Sequence, residues 1–328
     1  MESKPSSPSS EGVKKSTLKL KIEELANANA GIGYSVCGGV SGAVSRTVAA
    51  PFERLKILFQ VQDLSVQNTK PGEVKYHGIV RSLIQIGKDE GIMGYFKGNG
   101  SNVVRIVPYT AAQFVSYEKY KEFAIARSKD SKISTVQRLV CGGLAGMTSV
   151  IVSYPLDVVR CRLSAQYEPK IYHGINHCLK LIYKQEGLYG LYRGIVPTLL
   201  GIAPYVALNF TTYEKLKVLC LEYLGSDSLG IVTKLALGAV SGTFAQTVTY
   251  PFDVVRRRMQ MVGMGGSTEH ISLFDAFRQV YQRYGFVGFY KGLLSNYLKV
   301  IPVVSINFVV YEYMKIFLGL SKEGSGEV

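Results

Sequence analysis

The segment Pro51-Phe52-Glu53-Arg54-Leu55-Lys56 returns as Pro155-Leu156-Asp157-Val158-Val159-Arg160 and again as Pro251-Phe252-Asp253-Val254-Val255-Arg256. Each copy reads proline, any residue, an acid, two further residues and a base. Between the copies stands a second signature, Tyr117-Glu118-x-x-Lys121, Tyr213-Glu214-x-x-Lys217 and Tyr311-Glu312-x-x-Lys315. One unit of roughly a hundred residues is therefore used three times. The register extends upstream, because Gly38 and Gly42 stand 13 and 9 residues before Pro51, as Gly142 and Gly146 do before Pro155, and Gly238 and Gly242 before Pro251. A single Gly-x-x-x-Gly pair is a weak signal; three copies in register are a strong one.

The 328 residues are 47% hydrophobic yet carry a formal net charge of +14, and the mean hydropathy is +0.13. Basic charge and apolar bulk must be segregated along the chain. There is no RNP motif, zinc-ligand spacing or basic helix with heptads, so nucleic acid is not an expected partner. A membrane protein accounts for both properties, with basic loops facing lipid headgroups and anionic solutes. Six stretches, near residues 32–62, 101–122, 134–166, 197–222, 231–262 and 294–318, are long enough to cross about 30 Å of hydrocarbon. Arg46, Arg105 and Lys299 fall inside them, and charges at that depth must face water or a partner. Helices lining a polar cavity are expected.

Residues 1–29, rich in Ser, Lys and Glu, read as a polar disordered tail. They contain Glu2, Glu11, Glu23 and Glu24 and no arginine, unlike a cleaved mitochondrial presequence, so targeting is expected to be internal. The tail has no EF-hand loop. Three repeats follow, at 30–127, 133–224 and 230–320, and a C-terminal tail at 321–328. Cys37, Cys141, Cys161, Cys178 and Cys220 form no CxxC pair and read as packing residues. His77 and His173, 96 residues apart, are repeat equivalents that mark the start of a surface helix. No P-loop, no Ser/His/Asp ordering and no metal-ligand cluster is present, so an enzyme, a metal and a cofactor are not expected.

Pro51, Pro155 and Pro251 should each kink a long helix, since proline lacks the donor for the previous turn. The acid and base that follow are three apart, on one face. They can pair within the helix. Threefold repetition allows a second geometry, a ring in which each acid meets the base of the next repeat: Glu53 with Arg160, Asp157 with Arg256, Asp253 with Lys56. The second signatures offer a like ring, Glu118 with Lys217, Glu214 with Lys315, Glu312 with Lys121. Two rings at two mouths of a cavity would be two gates, with Coulomb gain and desolvation nearly balanced so that each opens at modest cost.

These signatures, with Glu90-Gly91 leading to Phe96-Lys97-Gly98 and Glu186-Gly187 leading to Tyr192-Arg193-Gly194, resemble the mitochondrial carrier (solute carrier 25) family over about residues 30–320. The third copy departs from the family motif, with Tyr284 in place of the acid before Gly285, while Tyr290-Lys291-Gly292 is kept. The resemblance implies an all-α membrane protein: six transmembrane helices in three pseudosymmetric repeats with short matrix-side helices, multi-pass in the mitochondrial inner membrane, exchanging solutes by alternating access. It places the first ring at the matrix gate, braced by Gln60 and Gln260, with Ser164 in the corresponding second-repeat position, and the second ring at the cytoplasmic gate. It makes Lys97-Gly98, Arg193-Gly194 and Lys291-Gly292 cardiolipin-binding positions. A monomer is expected.

The solute should be read where the repeats disagree. Counting 13 residues back from Glu118, Glu214 and Glu312 gives Arg105, Gly201 and Lys299; one turn on come Tyr109, Tyr205 and Val303, and another turn on Gln113, Asn209 and Asn307. Arg46 stands five residues before Pro51, with Val150 and Gln246 as its equivalents. Three cations and a flat slot beside Gly201 and Ile202 suit phosphates and a planar ring that contacts Tyr205. This set, with Arg256-Arg257-Arg258-Met259-Gln260-Met261, resembles carriers of coenzyme A and adenine nucleotides. Arg54, Arg257 and Arg258 read as solvated or lipid-facing charge. Two other readings stay open: a carrier of another anion, such as a dicarboxylate or an amino acid, and a carrier-like proton leak or scaffold.

Overall fold

The structure, a computed structural model, describes residues 10–61, 76, 78–127, 134–166, 170–224, 230–264 and 271–318. His77 lies outside them. Apart from short connections, the described residues are helical: α1 (Ser10–Val61), α2 (Ile79–Gly94), α3 (Asn99–Val104), α4 (Ile106–Arg127), α5 (Thr135–Ala165), α6 (Ile175–Leu191), α7 (Ile195–Leu224), α8 (Ile231–Met261), α9 (Leu273–Tyr284), a 3-10 turn (Phe286–Tyr290) and α10 (Leu293–Phe317). Pro51, Pro155 and Pro251 lie inside α1, α5 and α8. Pro204 and Pro302 lie inside α7 and α10. In the first repeat the corresponding helix is instead broken at Arg105, and Pro108 falls in the first turn of α4, where a missing donor costs nothing.

Helix α1 begins at Ser10, inside the stretch read from sequence as a disordered tail. Leu, Lys, Glu and Ala, which dominate Lys14–Ala28, are good helix formers and account for that start. By length and composition Val136–Ala165, Ile195–Tyr223 and Phe286–Phe317 are apolar enough to cross a bilayer. On α5, Val136, Val140, Leu144 and Val152 are exposed, the surface that hydrocarbon would cover.

The chain divides into two compact units, Arg46–Val303 and a second of Met1–Ser45 with Val304–Val328. In the second, Ser41 Oγ donates to the Gly38 carbonyl at 3.2 Å and Lys315 pairs with Glu312 at 3.1 Å. Within Arg46–Val303 the same small core is built three times. The short helices α2, α6 and α9 place inward residues at i, i+3, i+4 and i+7: Ile79, Ser82, Leu83, Ile86; Ile175, Cys178, Leu179, Ile182; Leu273, Ala276, Phe277, Val280. Ile86, Ile182 and Val280, the repeat equivalents, are fully buried, as are Leu55, Val159 and Val255 four residues after each signature proline. Each short helix thereby clamps the half of α1, α5 or α8 that carries the acid and base. Tyr192 stacks on Tyr154 and Tyr290 on Tyr250, each pair nearly parallel.

Each short helix then turns sharply at a glycine. Gly91, Gly187 and Gly285 have φ of 67°, 67° and 62° with ψ of −169°, −162° and −157°, a region closed to side-chain-bearing residues. The motif Glu-Gly, or Tyr-Gly in the third copy, is thus a turn whose glycine is required by geometry. Gly91→Ala should lower stability by about 1–3 kcal/mol through strain alone, read as a drop in the Tm of detergent-solubilised protein. Gly100→Ala, at a helical position where a Cβ meets open space, should leave Tm unchanged or raise it.

Candidate functional site

The acids and bases of the first signature meet across repeats. Arg160 Nη2 meets Glu53 Oε2, Arg256 Nη2 donates to Asp157 Oδ2 at 2.5 Å, and Lys56 Nζ donates to Asp253 Oδ2 at 3.2 Å. These are the three interhelical pairs of a ring. Side chains between repeats complete it. Asn102 Nδ2 donates to Glu53 Oε2 at 3.1 Å, and Asn296 Oδ1 accepts from Lys56 Nζ at 3.1 Å. Their second-repeat equivalent Thr198 lies 3.3 Å from the Tyr154 hydroxyl.

The glutamines act through tyrosines that precede the signature prolines. Gln60 Nε2 donates to Tyr250 Oη at 3.1 Å, and Tyr250 donates to the Lys291 carbonyl at 3.1 Å. Gln260 Nε2 reaches Tyr154 Oη at 3.2 Å and Asp157 Oδ2 at 2.8 Å, and Tyr154 donates to the Arg193 carbonyl at 3.0 Å. At the interface of the first and second repeats the tyrosine is replaced by Ala50 and the glutamine by Ser164. Ser164 Oγ there donates directly to the Lys97 carbonyl at 3.1 Å. All three interfaces are therefore braced, each to the carbonyl of a Lys or Arg that precedes a glycine. The glycines let the segments touch: a Cβ on Gly98, Gly194 or Gly292 would lie 3.0, 2.9 or 3.1 Å from the carbonyl oxygen of Arg160, Arg256 or Lys56.

Below the ring lie two buried arginines that the sequence reading had placed in solvent or lipid or left unassigned. Arg54, 1% exposed, donates through Nε to the Ser164 carbonyl at 3.1 Å and pairs with Glu90 at 2.8 Å. Arg162 does the same in the second repeat, with Nε to the Gln260 carbonyl at 3.0 Å, Nη2 to the Val262 carbonyl at 2.8 Å, and both Nη atoms on Glu186. Arg258, also buried, has no acid at the equivalent place and lies over the Tyr284 ring. At Tyr284 the third copy offers an aromatic ring to the cation where the other two copies offer a carboxylate. Lys97 and Arg193 pair with Glu90 and Glu186 at 2.5 and 3.2 Å, while Lys291 lies over Tyr284. Burial pushes the Glu90 carboxyl up, but Arg54 and Lys97 more than offset this and hold it below the usual range. Arg257 is corrected as well, since its Nη1 donates to Asp157 Oδ2 at 3.0 Å and to Gln260 Oε1 at 2.7 Å.

The three cations assigned to the solute stand on this ring. Lys299 Nζ donates to Glu53 Oε1 at 3.2 Å. Arg105 Nη1 lies 3.5 Å from Asp157 Oδ1, with its guanidinium over the Tyr109 ring. Arg46 donates to the Asn102 carbonyl at 3.5 Å and lies within electrostatic reach of Glu53 and Arg160. Among the described residues, Arg46, Lys56, Arg105, Arg160, Arg256, Arg257 and Lys299 thus face the three acids Glu53, Asp157 and Asp253, a surplus of four positive charges.

Gly201, Ile202 and Tyr205 line a slot of about 190 Å³ whose far wall is formed by Gln246, Phe252 and Asp253. A cavity of about 150 Å³ accommodates a benzene ring, so a planar ring fits. A Cβ on Gly201 would lie 3.3 Å from Phe252 Cβ, so the glycine sets the slot's width. Asn209 is half-buried and accepts from Ser241 Oγ at 2.9 Å; Gln113 and Asn307 are exposed. The second signatures pair within their own helices: Lys121 with Glu118 at 3.5 Å, Lys217 with Glu214 at 3.9 Å, Lys315 with Glu312 at 3.1 Å. These are local i,i+3 pairs at side chains that are largely solvated, a geometry that costs little to form or break.

Asn102, Asn296, Tyr154, Tyr250 and Gln246 were not singled out as site residues by the sequence. The signal existed, because the rule that joins the acid of one repeat to the base of the next also joins Tyr250 to Gln60 and Tyr154 to Gln260.

Threefold helical repeats joined by ion pairs, with a surplus of cations beside a slot, are the arrangement of a membrane transporter. The mitochondrial carrier protein family matches residues 29–128, 131–224 and 227–322, and the chain belongs to this family. It has the family's carrier fold, six membrane spans in three repeats, and is a multi-pass protein of the mitochondrial inner membrane. It is 42% identical over 309 residues to the mitochondrial adenine nucleotide transporter ADNT1 of Arabidopsis thaliana, covering 86% of each chain. It is 40% identical over 315 residues to the mitochondrial carrier protein CoAc2 of Zea mays, covering 92% of this chain and 88% of that one. To the human mitochondrial adenyl nucleotide antiporter SLC25A24 it is 38% identical over 290 residues, 88% of this chain and 58% of the relative.

Tyr154→Phe removes the hydroxyl that joins Gln260, Thr198 and the Arg193 carbonyl. It should cost about 1–3 kcal/mol, the range for stranding buried polar groups, measured as a lowered Tm. Gln260→Ala should lower Tm more than Gln60→Ala, because Gln260 also binds Asp157.

Proposed function

We propose that the protein exchanges adenine-containing phosphorylated solutes, coenzyme A or adenine nucleotides, by alternating access. The observation that carries this reading is the surplus of cations on the ring beside a ring-sized slot at Gly201. A polyphosphate matches that surplus better than a dicarboxylate, and Arg46 and Arg105 suit it through bidentate geometry. Relatives named for adenine nucleotides support the same class.

Binding and gating share the same side chains. Arg105 and Lys299 rest on Asp157 and Glu53, so phosphate oxygens compete with ring carboxylates for them. When the anion takes these cations, the ring loses part of its charge balance and its remaining pairs separate at lower cost. Glu53, Lys56, Asp157, Arg160, Asp253 and Arg256, with Gln60 and Gln260, then act as the matrix gate. Glu118, Lys121, Glu214, Lys217, Glu312 and Lys315 act as the cytoplasmic gate, whose pairs here are local and whose ring is to be made on the opposite swing. Lys97-Gly98, Arg193-Gly194 and Lys291-Gly292, at helix starts, are assigned to cardiolipin phosphate.

Proteoliposomes loaded with ADP or coenzyme A should take up labelled external nucleotide. Arg105→Ala or Lys299→Ala should reduce exchange by about tenfold or more, the scale of a lost charge-assisted hydrogen bond. Exchange confined to dicarboxylates or amino acids would overturn the reading, and so would full activity in the Arg105→Ala and Lys299→Ala double variant.

A further inference from the structure

We infer that Gln246 reads the edge of the ligand's ring and selects a 6-aminopurine over a 6-oxopurine. The inference rests on the reading above, in which a purine enters the Gly201 slot. Gln246 lines that slot from α8, across from Gly201, Ile202 and Tyr205 on α7. The three repeats place a cation, an apolar side chain and an amide at this level, Arg46, Val150 and Gln246; Val150 and Gln246 both line the slot, and Gln246 is the one of them with hydrogen-bonding capacity.

The orientation of this amide is determined by its neighbour. Gln246 Nε2 donates to Asp253 Oδ2 at 2.9 Å. An ionised carboxylate is acceptor-only, so a turned amide would set Oε1 against Asp253 and lose the bond. One N–H is thus committed. The second N–H and Oε1 of the same amide remain for a ligand, and the Asp253 bond fixes which end of the amide carries which. Of the three hydroxyls that line the slot, those of Thr198 and Thr249 are already donating to their own helices, to the Gly194 carbonyl at 2.7 Å and the Ala245 carbonyl at 2.9 Å, and the third belongs to Tyr205.

An N–H beside a C=O is the pattern by which glutamine pairs with adenine, accepting from the 6-amino group and donating to the adjacent ring nitrogen. A 6-oxopurine presents an acceptor where adenine presents the donor. It meets Oε1 with a lone pair, or must turn over in the slot while its phosphates stay on Arg46, Arg105 and Lys299. Because Asp253 also holds Lys56, a ring bound to Gln246 bears on the matrix ring as well.

The test compares ADP, inosine diphosphate and purine riboside diphosphate, which has hydrogen at C6, as competitors of labelled ADP uptake into proteoliposomes. In the unmodified protein inosine diphosphate should compete about tenfold or more weakly than ADP, the scale of discrimination by one bidentate amide, with purine riboside diphosphate between them. Gln246→Met, similar in volume but without the amide, should bring ADP and inosine diphosphate to within about twofold. Equal competition by ADP and inosine diphosphate in the unmodified protein would overturn the inference and leave nucleotide exchange standing. A full preference for ADP in Gln246→Met would also overturn it, assigning Gln246 to the Asp253 pair only. If neither a nucleotide nor coenzyme A is exchanged, the function reading fails and the inference with it. Even where the variant does not fold, equal competition in the ligand series on the unmodified protein overturns the inference.

Discussion

Three carboxylates, Glu53, Asp157 and Asp253, stand where the repeats meet, and Asp157 is only 1% exposed. A carboxylate taken out of water must be met by cations and donors, because leaving it unpaired costs several kcal/mol. The rest of the arrangement follows from that requirement. Each acid is met by the base of the next repeat, each base's backbone is approached by a glycine, and each interface is braced to a Lys or Arg carbonyl. The cores formed by Ile86, Ile182 and Val280 keep the acid-bearing helix halves in register for this contact.

The frame is threefold but its parts are not identical, and each departure is answered locally. Ser164 with Ala50 does at one interface what a glutamine and a tyrosine do at the other two. Tyr284 receives Arg258 and Lys291 where the other copies use glutamate. Arg54 and Arg162, at unlike positions after their prolines, reach the same kind of target, a carbonyl at the end of the next repeat's helix. The asymmetry that remains is concentrated at Arg46, Arg105, Gly201, Gln246 and Lys299, beside the ring acids and the slot. In the proposed account these are the residues free to choose a solute, and the surplus charge they create favours a polyphosphate.

Much of this was legible before any coordinates. Proline, acid and base at fixed spacing, used three times, imply helices, repeats and a cyclic pairing, and the pairs Glu53 with Arg160, Asp157 with Arg256 and Asp253 with Lys56 are present. For the second signatures the i,i+3 spacing allows a local pair as readily as a distant one, and local pairs are present. Arg54, Arg257 and Arg258 read as solvated or lipid-facing and are instead held on carbonyls, an acid or a ring, because an arginine near a helix end that snorkels and one that is buried look alike in sequence. The contact of Arg105 and Lys299 with the ring acids was hidden for another reason: it depends on how closely two helices approach, which no periodicity encodes.

The central claim is that the cations that take the solute are the ones that steady the matrix ring. A double-mutant cycle of Lys299→Gln and Glu53→Gln, read as thermal stability without ligand and with saturating ADP or coenzyme A, tests it directly. The account predicts a favourable coupling between Lys299 and Glu53 in the unliganded protein that falls toward zero when the anion is bound. A coupling of the same size with and without ligand would contradict it.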